Sequence, residues 1–146
     1  MTQSNLLTVY SFLHVAVVLN GKEVVGLWEG DDAVIVAPRT DVGSEMVGVD
    51  GAGIMSISAD RSVLITLKLQ GTSPTHRFLE NRHIRMRGGG SQTMPISIRD
   101  TATGEGGNAR ECLIKQAPDR AFGMNAASRD WVLWAQCWEP NRINYT

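Results

Sequence analysis

The amino-acid sequence predicts a mostly β (α+β) protein, an antiparallel β-sandwich or barrel with one flanking α-helix. Segments of alternating polar and apolar residues are short and are separated by turn residues. Glycine provides 15 of the 146 residues and aromatic residues only 6%, which is closer to strands joined by turns than to a helical bundle. With 42% hydrophobic residues, the chain suits a single domain over residues 1–146.

The first predicted strands are strongly apolar. Residues 8–19 are apolar on both alternating faces, which indicates a strand buried on two sides. Residues 20–21 (Asn-Gly) are typical of a two-residue hairpin turn, so residues 22–28 are expected to return beside that strand. Residues 61–70 show the clearest alternation of apolar and polar positions. Further strands are predicted at residues 33–37, 45–49, 54–58, 94–99, 110–116 and 130–139.

One helix is predicted, from Pro74 to about Arg87. Ser73 suits the N-cap position, proline suits the first helical turn, and three glycines at residues 88–90 end the helix. This helix contains four arginines and only one acidic residue: Arg77, Arg82, Arg85 and Arg87 against Glu80. The arginines suit a solvated face, a contact between subunits or binding to the phosphates of a nucleic acid, and all three interpretations remain open at this stage.

Charge is distributed unevenly along the chain. Residues 1–60 carry a net charge of −6 and the remaining residues +5, although the whole chain has only −1. A dipolar subunit of this kind can pair its acidic part with the basic part of a neighbouring copy, or the two parts can mix on one solvated surface.

The sequence has no catalytic or metal-binding motif, so we expect no enzyme, no cofactor and no metal. Residues 48–53 (GVDGAG) match neither nucleotide-binding glycine fingerprint and lead into a strand. Cys112 and Cys137 lack the paired spacing of a zinc site. The apolar run at residues 6–19 has no basic leader and no cleavage site, and it is too short to cross a bilayer, so we expect no membrane partner.

A series of motifs, in this order and spacing, resembles the tail tube proteins of contractile-tailed bacteriophages over about residues 10–143. The motifs are residues 10–13 (YSFL), 48–56 (GVDGAGIMS), 62–69 (SVLITLKL), 72–74 (TSP), 100–105 (DTATGE), Cys112, 118–119 (PD), Trp131 and 142–143 (RI). Two features depart from the family: it commonly has a glycine between Ser62 and Val63, and a charged, glycine-rich loop where residues 122–129 read FGMNAASR.

The resemblance implies a structural virion protein of the phage tail, made and assembled in the bacterial host cytoplasm. Copies would form hexameric rings that stack into a tube inside a contractile sheath, and phage DNA would pass through without specific binding. The other implied partners are the tail sheath, baseplate and tail terminator proteins. If each of six subunits gave four strands to one continuous inner barrel, strands spaced about 4.8 Å and tilted about 40° would give a diameter of about 48 Å, wide enough for duplex DNA.

A channel through which DNA slides should not bind the DNA phosphates, and an acidic wall prevents binding by repelling them. We therefore expect acidic residues of the first half in the lumen or between rings, and the helix arginines on the outside or at subunit contacts. The lumen or ring-contact candidates are Asp31, Asp32, Asp41, Glu45 and Asp50, with Glu45 and Asp50 first for the lumen because they lie beside predicted strands. The outer or subunit-contact candidates are Arg77, Arg82, Arg85 and Arg87.

Two alternatives remain. One is a monomeric β-sandwich or OB-like module that binds nucleic acid through the arginine helix; it would stay small and lose DNA affinity steeply as salt rises. The other is the tube of a related contractile bacteriocin or secretion device, which would look the same at the level of the tube subunit.

Overall fold

The structure is a computed structural model that describes residues 7–90 and 93–142. The described residues form ten strands, one α-helix and one turn of 3₁₀-helix (Phe12–His14). The strands are β1 (Val15–Leu19), β2 (Lys22–Glu23), β3 (Val34–Pro38), β4 (Gly43–Val47), β5 (Gly53–Ile57), β6 (Val63–Gln70), β7 (Met94–Asp100), β8 (Gly106–Gln116), β9 (Ser128–Ala135) and β10 (Glu139–Pro140). The α-helix is α1 (Pro74–Arg87).

Eight strands form one antiparallel sheet in the order β2-β1-β7-β8-β9-β6-β3, with β10 also paired to β8. The mostly β, one-helix prediction is confirmed. Among the described residues, the hydrogen-bonded path does not close into a barrel. Residues 26–28 nevertheless run from β2 to the end of β6, near the opposite edge of the sheet. There the Trp28 N–H donates to the Lys68 carbonyl and the Gln70 N–H donates to the Gly26 carbonyl.

The core lies on one face of this sheet. Alternate residues of β6 are buried, and they share a face with buried residues of β9 because the two strands are antiparallel partners. Buried residues of β7 belong to the same cluster. Trp131 is the largest fully buried side chain, and Leu79 of α1 packs into the same cluster. Burying each such side chain stabilises the fold by about 1.5–3 kcal/mol relative to exposure.

Helix α1 begins where it does because its first turn is tied to the chain near β2. The Ser73 hydroxyl accepts hydrogen bonds from the N–H groups of Thr75 and His76 and donates one to the Val25 carbonyl. Gly26 has φ +75°, and a Cβ there would lie 2.7 Å from the Ser73 Cβ, so this close approach requires glycine. The predicted helix start and end are both correct.

Three of the predicted strands are interrupted or much shorter than expected. The strand predicted at residues 8–19 begins only at Val15, and the side chains of residues 7–10 and 12–14 are exposed. The return strand predicted at residues 22–28 is only Lys22–Glu23, because the chain then turns toward β6. The strand predicted at residues 130–139 is interrupted after Ala135; Trp138 lies against Gly107, where a Cβ would come within 2.7 Å of the indole ring.

Candidate assembly surfaces

A two-stranded hairpin, β4–β5, lies outside the main sheet. We call residues 40–61 the arm; its two strands pair only with each other in the described sheets. Every residue of the arm is exposed except Gly43 and Gly48, which are half-buried. The arm leaves the body where β3 ends and β6 begins, at the Pro38–Val63 pair of the sheet.

The arm is apolar on both faces. Cross-strand pairing sets Met46 opposite Ile54 on one face and Glu45 opposite Met55 on the other. Met46 and Ile54 are 59% and 60% exposed. An isolated two-stranded hairpin is marginal in water, and contiguous exposed apolar surface marks an interaction site. The arm therefore has two faces suited to burial against other molecules.

The base of the arm is fixed by polar contacts. The Asp60 carboxylate accepts hydrogen bonds from the N–H and the hydroxyl of Ser62, at 2.9 and 2.6 Å, and from the Thr40 hydroxyl at 3.3 Å. These bonds, led by the Ser62 hydroxyl, lower the pKa of Asp60. Arg39 also donates to the Ser62 hydroxyl. The arm is thus held at its base although its strands are exposed.

The tip of the arm is a tight turn. The Gly48 N–H donates to the Ala52 carbonyl, and Asp50 accepts from the Ala52 N–H, while Gly51 adopts φ +88°. The turn presents Val49 fully to solvent, at 111% of reference exposure. The predicted turn at residues 50–51 is correct.

The acidic candidates divide into two groups. Asp41, Glu45 and Asp50 lie on the arm, and residues 40–60 contain four acidic residues and no Lys or Arg. Asp31 and Asp32 lie instead in the turn before β3, both exposed. Asp32 pairs with Lys68 of β6 at 2.7 Å, and this hydrogen bond lowers the pKa of the Asp32 carboxyl.

The arginine candidates lie along α1. Arg77, Arg85 and Arg87 are exposed, whereas Arg82 is half-buried with its guanidinium 5.3 Å from the Phe78 ring centre. Ile84 on the same helix is 64% exposed. The helix therefore presents a basic outer surface with an apolar residue in it, which suits a protein contact as well as an anionic one.

The loop between β8 and β9, residues 117–127, forms a third exposed surface. It presents Phe122 and Met124, which are 86% and 100% exposed. Arg129 lies beneath it, donating to the carbonyls of Ala121, Ala127 and Ser128, with its guanidinium 5.4 Å from the Phe122 ring centre. The sequence predicted only a loop here; the signal that was missed is two large apolar residues within a run of small ones.

A second contact also restrains this loop. Arg120 forms an ion pair with Glu80 of α1, and Glu80 lies 3.5 Å from the imidazole of His76. His76 is buried and its Nδ1 accepts a hydrogen bond from the Trp131 indole N–H at 2.9 Å. Burial, followed by the positive charge of Arg129 and Arg120, lowers the pKa of His76.

An apolar groove of about 510 Å³ lies on the body between β1, β3 and β10. Its apolar lining includes Val36, Ile98 and Trp138. Its charged lining residues are Asp100 and Glu105, so its rim is acidic.

The described residues have no arrangement suited to metal binding. No group of three or more His, Cys, Asp or Glu side chains within residues 7–90 and 93–142 is placed to hold an ion. Burial raises the pKa of the Cys112 thiol to about 12, so it is a poor nucleophile. In the same part of the chain, the helix is too short and too polar to cross a membrane.

Comparison with known proteins agrees with this architecture. Residues 7–138 match the family model described as the bacteriophage PhiTE tail tube protein. Among solved structures, the cap that terminates the tube of the anti-feeding prophage superposes with a TM-score of 0.53 at 13% identity, covering 95% of each chain; this likeness shows the fold alone. No curated protein sequence matches the chain. The family match spans both the sheet and the arm, and the chain belongs to the bacteriophage PhiTE tail tube protein family.

Proposed function

We propose that this chain is a tail tube subunit that self-assembles into hexameric rings, and that the rings stack into a channel for phage DNA inside a contractile sheath. The family match supports a structural role in the phage tail. The observation that carries self-assembly is the arm, a hairpin that is apolar on both faces and has almost no burial within its own subunit.

Burial of the arm supplies the driving force for assembly. Val42, Val47 and Ile57 are exposed in addition to the Met46–Ile54 pair. Each apolar side chain of this size that becomes buried contributes about 1.5–3 kcal/mol. Each ring that stacks on another buries six arms, so the stacked tube is favoured over free subunits once the entropy of association is offset.

The open sheet edges supply the ring contact. β3 has one unpaired edge, and β1 is covered on its outer side only by the two-residue β2. Unpaired edges are templates for further strands, and closing a ring removes them. Pairing the β3 edge of one copy with the β1–β2 edge of the next would build the continuous inner barrel.

The charged candidates take positions in this tube as follows. Asp41, Glu45 and Asp50 act as ring-to-ring contacts because they lie on the arm, and this replaces the lumen position expected from the sequence for Glu45 and Asp50. Asp31 and Asp32 are the candidates for the lumen, where negative charge repels DNA phosphates. The arginines of α1 face outward, toward the sheath or a neighbouring subunit, and the baseplate and tail terminator proteins meet the two ends of the tube.

A tube in a contractile bacteriocin or secretion device is the second candidate. The likeness to the tube-terminating cap of the anti-feeding prophage favours it, since that protein shares the fold. Both candidates predict the same rings and differ only in what passes through the channel.

The experiment that tests the proposed function disrupts the arm without disturbing the body. Met46→Glu with Ile54→Glu places carboxylates on one arm face, and we expect the variant to form no stacked tubes under conditions in which wild-type protein forms them. Ile84→Glu is the matched control, because this residue is equally exposed but lies on α1. Negative-stain microscopy and analytical ultracentrifugation give the readout. Unimpaired tube formation by the arm variant would contradict the proposal.

A further inference from the structure

We propose that Asp32 and Asp130 mask the charge of Lys68 on the wall of the channel, so that DNA slides past this lysine without being bound. The inference rests on the proposed tube function. It assigns the channel wall to the face of β3, β6 and β9 that is opposite the core, which we call the bare face.

Strand register defines the residues of the bare face. Positions that alternate with the buried residues of β6 and β9 point away from the core, and none of them is buried. Pairing between neighbouring strands sets them in rows that run from the arm base to the opposite end of β6. The rows are Ala37, Leu64 and Trp134, then Ile35, Thr66 and Val132, then Lys68 and Asp130, and finally Gln70 and Ser128. Charge on the bare face is therefore confined to the row of Lys68 and Asp130.

Helix α1 determines which face of these strands is turned to the channel. Leu79 packs in the core, and the His76 and His83 rings lie 5.8 and 6.1 Å from the buried Trp131 ring, centre to centre. The helix therefore covers the core side of β9. Since the proposed tube places α1 on its outside, the bare face turns inward.

Lys68 is the one cation on this wall. Among the residues of the bare face, no other is Lys or Arg. Arg129 also belongs to β9, but it is nearly buried on the core side. On the next strand, Lys115 lies at a register shift that interrupts the alternation of faces, so it is not counted here. A lysine that is free on the wall of a DNA channel would bind phosphates, and each copy in a ring would repeat it.

Two carboxylates hold Lys68. Its Nζ donates to the Asp32 Oδ2 at 2.7 Å, and only 24% of the lysine side chain is exposed. Asp130 is the direct partner of Lys68 across the β6–β9 pair, where opposite charges attract. The hydrogen bond to Asp32, together with the charges of Asp32 and Asp130, raises the pKa of Lys68. The three side chains sum to −1, so the group repels a phosphate.

Backbone hydrogen bonds place Asp32 beside Lys68 before any DNA arrives. The Lys68 N–H donates to the Ala33 carbonyl at 2.9 Å, and the Lys68 carbonyl accepts from the Trp28 N–H at 2.8 Å. Asp32 directly precedes Ala33, so its carboxylate starts next to the lysine. Surface ion pairs are weak when two long side chains must be ordered to form them. Here the short Asp32 side chain and the half-buried lysine limit that loss of entropy.

Masking and simple repulsion predict different effects of the carboxylates at this end of the sheet. If repulsion alone kept DNA from the wall, the loss of any one exposed carboxylate here would have a similar effect. If Asp32 masks Lys68, the loss of Asp32 has the larger effect, because it removes a negative charge and also frees a positive one.

DNA binding by assembled tubes tests this difference. Asp32→Asn tubes are expected to bind a short linear duplex more tightly than wild-type tubes do. The slope of log affinity against log salt should steepen by about 0.9 for each freed lysine that contacts a phosphate. Glu29→Gln is the matched control, since it removes one exposed negative charge from the same connection between β2 and β3, and its affinity should stay near the wild-type value. Asp32→Asn combined with Lys68→Gln should also return to that value.

Two further measurements test whether the lysine lies inside the tube. A covalently closed circular duplex has no end that can enter the channel, so Asp32→Asn should not increase its binding. In a Cys137→Ser background, Thr66→Cys places a thiol in the middle of the bare face. In tubes this thiol should react with a small maleimide but not with a maleimide on a polymer too large for the channel. At concentrations where the chain is monomeric, both reagents should react.

The outcomes separate the inference from the proposed function. If tubes form and Asp32→Asn binds DNA no more tightly than Glu29→Gln, Lys68 is not masked and the inference is wrong while the tube function stands. Equal gains for linear and circular DNA, or reaction of Thr66→Cys with the large reagent in tubes, would place the bare face outside and also overturn it. If wild-type protein forms no tubes, the proposed function fails, and the assignment of a channel wall fails with it.

Discussion

At the scale of single residues, His76 connects the helix to the sheet. Its Nδ1 accepts from the indole of Trp131, and its other nitrogen faces Glu80, while Arg77, Arg120 and Arg129 contribute positive charge around it. A protonated imidazole has two N–H groups, so it cannot accept the Trp131 hydrogen bond. The neutral form is therefore the one that the folded state requires.

This requirement predicts how stability depends on pH. The folded pKa of His76 lies below its usual value, so the unfolded chain binds a proton at higher pH than the folded one does. The contribution to stability is full above about pH 6.5 and is lost as the pH falls below it, with a slope of at most about 1.4 kcal/mol per pH unit.

The variant His76→Asn checks this expectation, because its amide oxygen can still accept the Trp131 hydrogen bond but does not titrate near neutral pH. Urea unfolding at several pH values between 5 and 8 should give a shallower decline for the variant than for the native chain. Asp60, whose pKa is also lowered, titrates below this window and does not interfere. Equal slopes would mean that His76 does not control the acid sensitivity.

At the scale of elements, the arm is separate from the main sheet, and its base sets its direction. Asp60 makes three hydrogen bonds there, to Ser62 and Thr40. Asp60 and Thr40 are exposed and only Ser62 is buried, so removing the carboxylate should loosen the arm without unfolding the subunit.

The variant Asp60→Ala is therefore expected to raise the protein concentration needed for tube formation several-fold, with the melting temperature of the monomer lowered by only a few degrees because the buried Ser62 loses one acceptor. Light scattering against concentration measures the first and circular dichroism the second. Glu29→Ala removes an exposed carboxylate outside the arm and serves as the control. A melting temperature lowered as far as that of a core variant would show that Asp60 supports the fold and not the arm.

Elements with strong local signals could be predicted from the sequence, and those fixed by distant contacts could not. Ser73, Pro74 and the three glycines after the helix determine α1 locally, and the alternation of residues 61–70 determines β6. Residues 8–14 are as apolar as a buried strand, yet the structure leaves most of them exposed. Apolar character predicts burial but not whether the partner is the same subunit or another one.

The arm and the loop show the same limit of prediction. Strands at residues 45–49 and 54–58 were predicted, and the turn between them is correct, but nothing local indicates that the hairpin stands apart from the sheet. For the loop, Arg129 is nearly buried only because β9 brings it beneath Ala121. Which residues line a lumen depends on symmetry, which a single sequence does not contain.

At the scale of the whole molecule, a single subunit is an incomplete structure. Its sheet has two open edges, its arm is exposed on both faces, and its loop presents apolar side chains at the opposite end. Each feature costs stability or solubility in a monomer and gains stability in a stack of rings. Membership of a tail tube family is consistent with all three.

The most direct test of this account is electron microscopy of the purified chain at high concentration and physiological salt. We predict hexameric rings that stack into hollow tubes, with a density bridge from each arm to the next ring, and DNA affinity that is weak at all salt concentrations. A chain that remains monomeric under these conditions, or one that binds DNA tightly at low salt and releases it as salt rises, would contradict the account.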